Sequence, residues 1–145
     1  MTFGEHFVDI MKEQKLTNSE ISRKTGIPTS RISNFAKNIN LPSVDNSILL
    51  ANCFHCSLDF LFGREKRKDY IIETRVFDLE TFLSKYKELL DIHKMSNRKL
   101  SDEININKSG LFHWQSGQKP QIKIALKIVD YFNCSLDYLL CKSIW

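Results

Sequence analysis

No run of apolar residues in this 145-residue chain approaches the ~18 that a membrane span needs, and its N-terminus lacks a signal-peptide pattern. The expectation is a cytoplasmic protein with no membrane partner. A Gly-rich phosphate loop, a nucleophile motif and a cluster of metal ligands are all missing, so neither enzymatic activity nor a cofactor or metal is expected. Cysteines number four, and the cytoplasm keeps such thiols reduced. Cys53 and Cys56 stand at Cys-x-x-Cys spacing, but no second ligand pair accompanies them. Cys56 has a counterpart in Cys134, which lacks even that neighbour, and both fit small core residues at a helix end. No stretch shows the period-two alternation of a confident strand. No appended sensor domain is read in this sequence, so the expectation is that no small-molecule ligand is involved.

Charge of one sign is scarce too: 21 Lys and Arg face 17 Asp and Glu, a net charge of +4. It is unevenly spread. Residues 1–64 carry 7 cations against 6 anions, residues 65–79 carry 4 against 4, and residues 80–145 carry 10 against 7. A polyanion would therefore be held more firmly by the second half. Hydrophobic residues at 42% and charged residues at 26% lie near globular averages and argue against wholesale disorder.

What the chain does contain is an internal repeat. Cys56-Ser57-Leu58-Asp59-Phe60-Leu61 returns as Cys134-Ser135-Leu136-Asp137-Tyr138-Leu139, 78 positions later (134 − 56). Upstream the offset is 79 (82 − 3): Phe3, Phe7, Ile10 and Met11 match Phe82, Tyr86, Leu89 and Leu90. Ile21, Ile27 and Ile32 match Leu100, Ile106 and Leu111 in the same way. The slip falls beside Pro42 and Pro120, where the first copy has a loop one residue longer.

Within each copy the spacing is helical. Phe3, Phe7, Ile10 and Met11 line one face of an amphipathic helix. A second helix starts with Thr17 or Asn18 as N-cap and ends near Gly26, whose place Asn105 takes in the second copy. The spacing predicts a third helix over about 29–37 and again over 108–115, with Ile32 and Phe35, or Leu111 and Trp114, inward. A fourth helix follows each proline, and Ser57 and Ser135 cap a short fifth. The segment Tyr70–Phe77 fits either an extended or a helical conformation.

Two short helices joined by a Gly- or Asn-bearing turn form a helix-turn-helix pattern. The stretch from Leu16 to Phe35 resembles the lambda-repressor-like (Cro/repressor, XRE) family, and Met95 to Gly117 is similar. So are the proline that follows and the closing Cys-Ser-Leu-Asp motif; together they cover about residues 3–63 and 82–141. The resemblance implies an all-α protein of two tandem five-helix domains, 1–63 and 80–145, joined by a charged linker, 64–79. It further implies a transcriptional regulator, of the repressor type common on phages and mobile elements, whose partner is a double-stranded DNA operator. The third helix would enter the major groove. By position, Thr29, Ser30 and Asn34 then face bases in the first copy, and Lys108, Ser109 and His113 in the second. Asn18 and Asn97, which open the second helices, would meet phosphate. Arg31, Lys37, Arg98, Lys119 and Lys123 are the further phosphate candidates.

Both copies depart from the family pattern. The first has Lys37-Asn38-Ile39-Asn40 where Gly usually ends the third helix, and the second has Gly110 within that helix. Gly110 admits a close backbone approach to DNA or is tolerated drift. The run from Arg64 to Asp69 reads as a solvated linker, with tracking of a phosphate backbone as the alternative. About 15 linker residues would reach ~50 Å if extended, enough for half-sites ~34 Å apart. Another class of function stays open: one copy, more readily the nearly neutral first, serves as a dimerisation or protein-interaction module, making a homodimer possible. A third is an inhibitor or anti-repressor acting on a protein.

Overall fold

In the computed structural model, which describes residues 1–66 and 69–144, capping residues set most helix starts. Thr2 caps α1 (Phe3–Gln14) by accepting a hydrogen bond from the Glu5 N–H. Thr17, not Asn18, caps α2 (Asn18–Thr25), and Glu20 reaches back to the Thr17 N–H to complete a capping box. Pro28, with φ already at −58°, leads into α3 (Thr29–Ala36). Ser43 and Ser57 cap α4 (Val44–Phe54) and α5 (Leu58–Leu61) through their hydroxyl oxygens.

The second copy repeats this order with α6 (Leu79–Ile92), α7 (Asn97–Glu103), α8 (Gly110–Gln115), α9 (Ile122–Phe132) and α10 (Leu136–Leu140). Asp78 caps α6, and hydrogen bonds from the Thr81 hydroxyl and N–H hold its carboxyl below the usual carboxylate range. Ser96 and Ser135 cap α7 and α10. Two short strands, β1 (Thr74–Phe77) and β2 (Cys141–Ile144), pair into a two-stranded sheet. The undecided segment is thus extended in its second half.

The chain divides into two compact units, Met1–Val76 with the residues from Ser143 onward, and Phe77–Lys142. In the first, Phe7 is fully buried, with Phe35 and Phe54 edge-on at 6.5 and 5.8 Å. Ile10, Ile21, Ile32, Ile48, Leu50 and Leu58 close the core around it. In the second, Trp114 stands edge-on to Phe82 at 5.0 Å and to Tyr86 at 5.3 Å. Leu100, Ile128, Leu136 and Leu139 are fully buried around them.

Two expectations change. The third helix of the second copy starts at Gly110 and not at Lys108. The Asn107 carboxamide oxygen accepts hydrogen bonds from the N–H and hydroxyl of Ser109, holding residues 107–109 in a turn. Gly110, the next residue, has little helix propensity with which to oppose that turn. The connection from Arg64 is also not a free tether. Arg64 pairs with the buried Asp59, and Ser57 donates to Glu65 at 2.9 Å. Further on, the Ile71 N–H bonds to the His55 carbonyl, and the Asn52 carboxamide bonds to both the N–H and the carbonyl of Arg75. Asp59, Ser57, His55 and Asn52 thus hold parts of this segment to the first unit. Arg67 and Lys68, the middle of the charged run, lie outside the described residues.

Candidate nucleic-acid interface

Each unit presents one helix with a buried and a solvated side, set by which residues repeat at three and four. On α3, Ile32 and Phe35 are buried, while Thr29, Ser30, Arg31 and the C-capping Lys37 are exposed. Asn34 is half-buried. The turn before α3 is held by Gly26, whose φ of +79° suits a residue without Cβ, and by Ile27, which is buried. After α3, Asn38 adopts φ +61° and supplies the left-handed residue for which the family pattern has Gly. Its side chain then has a second task. Asn38 Oδ1 accepts from the Gly4 N–H at 2.7 Å, and Nδ2 donates to Thr2 at 2.9 Å, fastening the end of α3 to the start of α1. A Cβ at Gly4 would lie 2.5 Å from the Ala36 carbonyl oxygen, so the approach requires glycine.

On the segment 108–115 of the second unit, Trp114 is buried and Lys108 and His113 are exposed. Ser109 is half-buried and its hydroxyl donates to Asn107, leaving its oxygen lone pairs available. Asn97 is half-buried at the start of α7. Its Oδ1 accepts from the Tyr86 hydroxyl at 2.7 Å, and its Nδ2 donates to the Lys108 carbonyl at 3.0 Å. This links α6, α7 and the backbone from which Lys108 projects. One N–H and one lone pair of the carboxamide remain for an outside partner. Asn18 lacks the same support, because Phe7 stands where the second unit has Tyr86.

A cleft of about 220 Å³ opens beside α8, lined by Gly110, His113, Trp114, Gln118, Lys119 and Ile124 among others. It brings His113 and Lys119 together. Arg98 and Lys123 are exposed elsewhere on the unit. The packing here is looser than in the first unit: Ile106 and Leu111 are half-buried, whereas their counterparts Ile27 and Ile32 are buried.

One residue on this face went unassigned in the sequence. Phe112 follows Lys108 and Ser109 by four and three positions, and two-thirds of its surface is exposed (66%). Its counterpart Ser33 is the signal that could have marked it, since a core position would keep an apolar residue in both copies.

The cysteines show no comparable convergence. Cys53 is half-buried, and burial raises its thiol pKa, with Lys24 acting weakly in the other direction. Cys56 is fully buried and Cys134 half-buried. Among the described residues, no three His, Cys, Asp or Glu side chains gather as a metal site would require. No described helix is long and apolar enough to cross a membrane.

No curated protein and no solved structure matches the chain. A helix-turn-helix family model matches it twice, over residues 9–61 and 87–139, which together span well over half of its length. The two matches coincide with the two copies and include α2–α3 in one and α7–α8 in the other. The chain therefore belongs to the lambda-repressor-like (XRE) helix-turn-helix family of DNA-binding regulators, with two tandem copies of its domain.

Proposed function

We propose that this protein is a sequence-specific transcriptional repressor, of the kind found on phages and mobile elements, working in the cytoplasm on an asymmetric operator. The observation that carries the reading is the pair of solvated helix faces. Thr29, Ser30 and Asn34 stand on α3, whose buried side holds Phe35, and His113 stands on α8, whose buried side holds Trp114, with Lys108 and Ser109 in the turn that leads into it. Lysine can pair with guanine O6 and N7, asparagine with adenine N6 and N7, and hydroxyls with several bases. Asn18, Arg31 and Lys37 hold phosphate in the first domain, and Asn97, Arg98, Lys119 and Lys123 in the second. These contacts fix the register and carry no sequence information. Because the two reading sets differ in chemistry, the two half-sites differ in sequence.

The test is selection of bound sequences from random double-stranded DNA by the intact chain, at about 0.15 M ionic strength. Enrichment of one extended site with two dissimilar boxes is the expected result. A palindrome would replace it with a homodimer in which only one copy of each chain reads. The absence of any enriched sequence would remove the regulator reading and favour a protein target.

A further inference from the structure

We infer that Phe112 is a specificity-determining residue of the second domain, its ring packing against the 5-methyl group of a thymine in the major groove. The inference rests on the DNA-reading function proposed above. Exposure alone marks nothing, since Ile39 and Ile92 are nearly as open (each 63%) and single exposed apolar residues are ordinary. Position separates Phe112 from these. Within α8 and its caps, residues three and four apart are neighbours, so Phe112 shares its arc with Ser109, the N-cap, and Ser116, the C-cap. Trp114 lies on the other side and is buried. His113 meets the Phe112 ring edge-on at 5.7 Å.

The ring contributes little to the core, so folding gives no reason for it. It stands beside a histidine and between the two capping serines of α8, on a unit whose exposed cations suit a polyanion. Of the groups exposed in the major groove, the thymine methyl is the apolar one, and phenylalanine is among the side chains that contact it. Hydroxyl and ammonium groups read polar base edges and gain nothing from a methyl. A ring between them would let the same turn of helix distinguish thymine from cytosine or uracil.

The experiment uses the intact chain and the duplex site recovered by selection, with each thymine replaced in turn by deoxyuracil, which removes only the methyl. At one thymine, or two adjacent ones, the wild-type affinity should fall about fourfold, the value of one buried methyl-sized group. In Phe112→Ala that penalty should vanish while the penalties at other positions persist. Phe112→Leu should keep part of it. If Phe112→Ala shows the same deoxyuracil profile as wild type, the proposal is overturned while the DNA-reading function stands. A wild-type chain that selects a site but is indifferent to every methyl overturns it equally. If no site is selected at all, the function and this proposal fall together. An unchanged circular dichroism spectrum and melting curve for Phe112→Ala would show that any loss comes from contact and not from unfolding.

Discussion

At the scale of single residues, the two copies differ most where a polar atom sits inside the second. Tyr86 replaces Phe7, and its hydroxyl supports Asn97, which in turn holds the Lys108 carbonyl. The ring is fully buried, and burial pushes the phenol up to about 12. An unfolded tyrosine ionises near 10. Between those values the folded state keeps a proton that the unfolded state has lost, so stability falls as pH rises through that window. The contribution is whole below pH ~10 and is lost as pH passes ~12. Tyr86→Phe removes the ionisable group along with the hydrogen bond. In urea unfolding of the intact chain followed by circular dichroism, wild type should lose roughly 2–3 kcal/mol relative to this variant between pH ~10 and ~12. Parallel stability curves for the two proteins would mean that the phenol does not stay protonated in the folded state. None of this was visible in the sequence, where Tyr86 counted only as an apolar match to Phe7. A hydroxyl acquires its meaning from a partner brought to it by tertiary packing.

Whole elements were far more legible, because each was written twice. Ile21 and Leu100, Ile32 and Leu111, or Ser57 and Ser135 point to the same helix edge from independent sequences, and the caps at Ser57 and Ser135 stand where the repeat puts them. The start of α8 was not legible, since the Asn107 side chain competes locally with the helix and no counterpart warns of it (Pro28 stands there in the first copy). Nor were β1 and β2, four residues each, whose pairing joins segments remote in sequence and leaves no periodic trace. Two glycines set in helices give opposite predictions at this scale. A Cβ at Gly110 would meet only Trp114 ring atoms, at 3.6 and 3.9 Å, which is ordinary contact beside an open cleft. Gly110→Ala should therefore stabilise the chain through helix propensity, by less than the ~1 kcal/mol of a helix interior because Gly110 opens α8. A Cβ at Gly4 would collide with backbone at 2.5 Å, so Gly4→Ala should destabilise it by ~1–3 kcal/mol. Thermal unfolding of both variants checks the pair. A destabilised Gly110→Ala would show that α8 needs its glycine for something other than room in the free protein.

For the molecule as a whole, the duplicated fold was clear from the repeat, whereas the division of labour between its copies was not. Spacing identifies which positions are solvated but not which of them meet DNA. The candidate residues accordingly divide by environment: Lys108 and His113 are exposed, Ser109 and Asn34 half-buried, and Asn97 is largely occupied by its own protein. If both domains read bases, their contributions should be separable along one operator. Asn34→Ala should relax sequence preference in one box, and Lys108→Ala in the other, each costing ~1–3 kcal/mol on the intact site and little on random DNA. Arg98→Ala should instead weaken binding to all sequences alike and reduce the steepness with which affinity falls as salt rises. Titration of the three variants against the selected site, against versions with either box scrambled, and at two salt concentrations distinguishes these patterns. The decisive comparison is between Asn34→Ala and a site whose first box is scrambled. If a reader has lost its box, the variant should no longer register the scrambling. If Asn34→Ala leaves both boxes as strongly preferred as before, the first domain does not read bases through that residue. The preference for the first box would then have to come from Thr29 and Ser30, the exposed candidates at the start of α3.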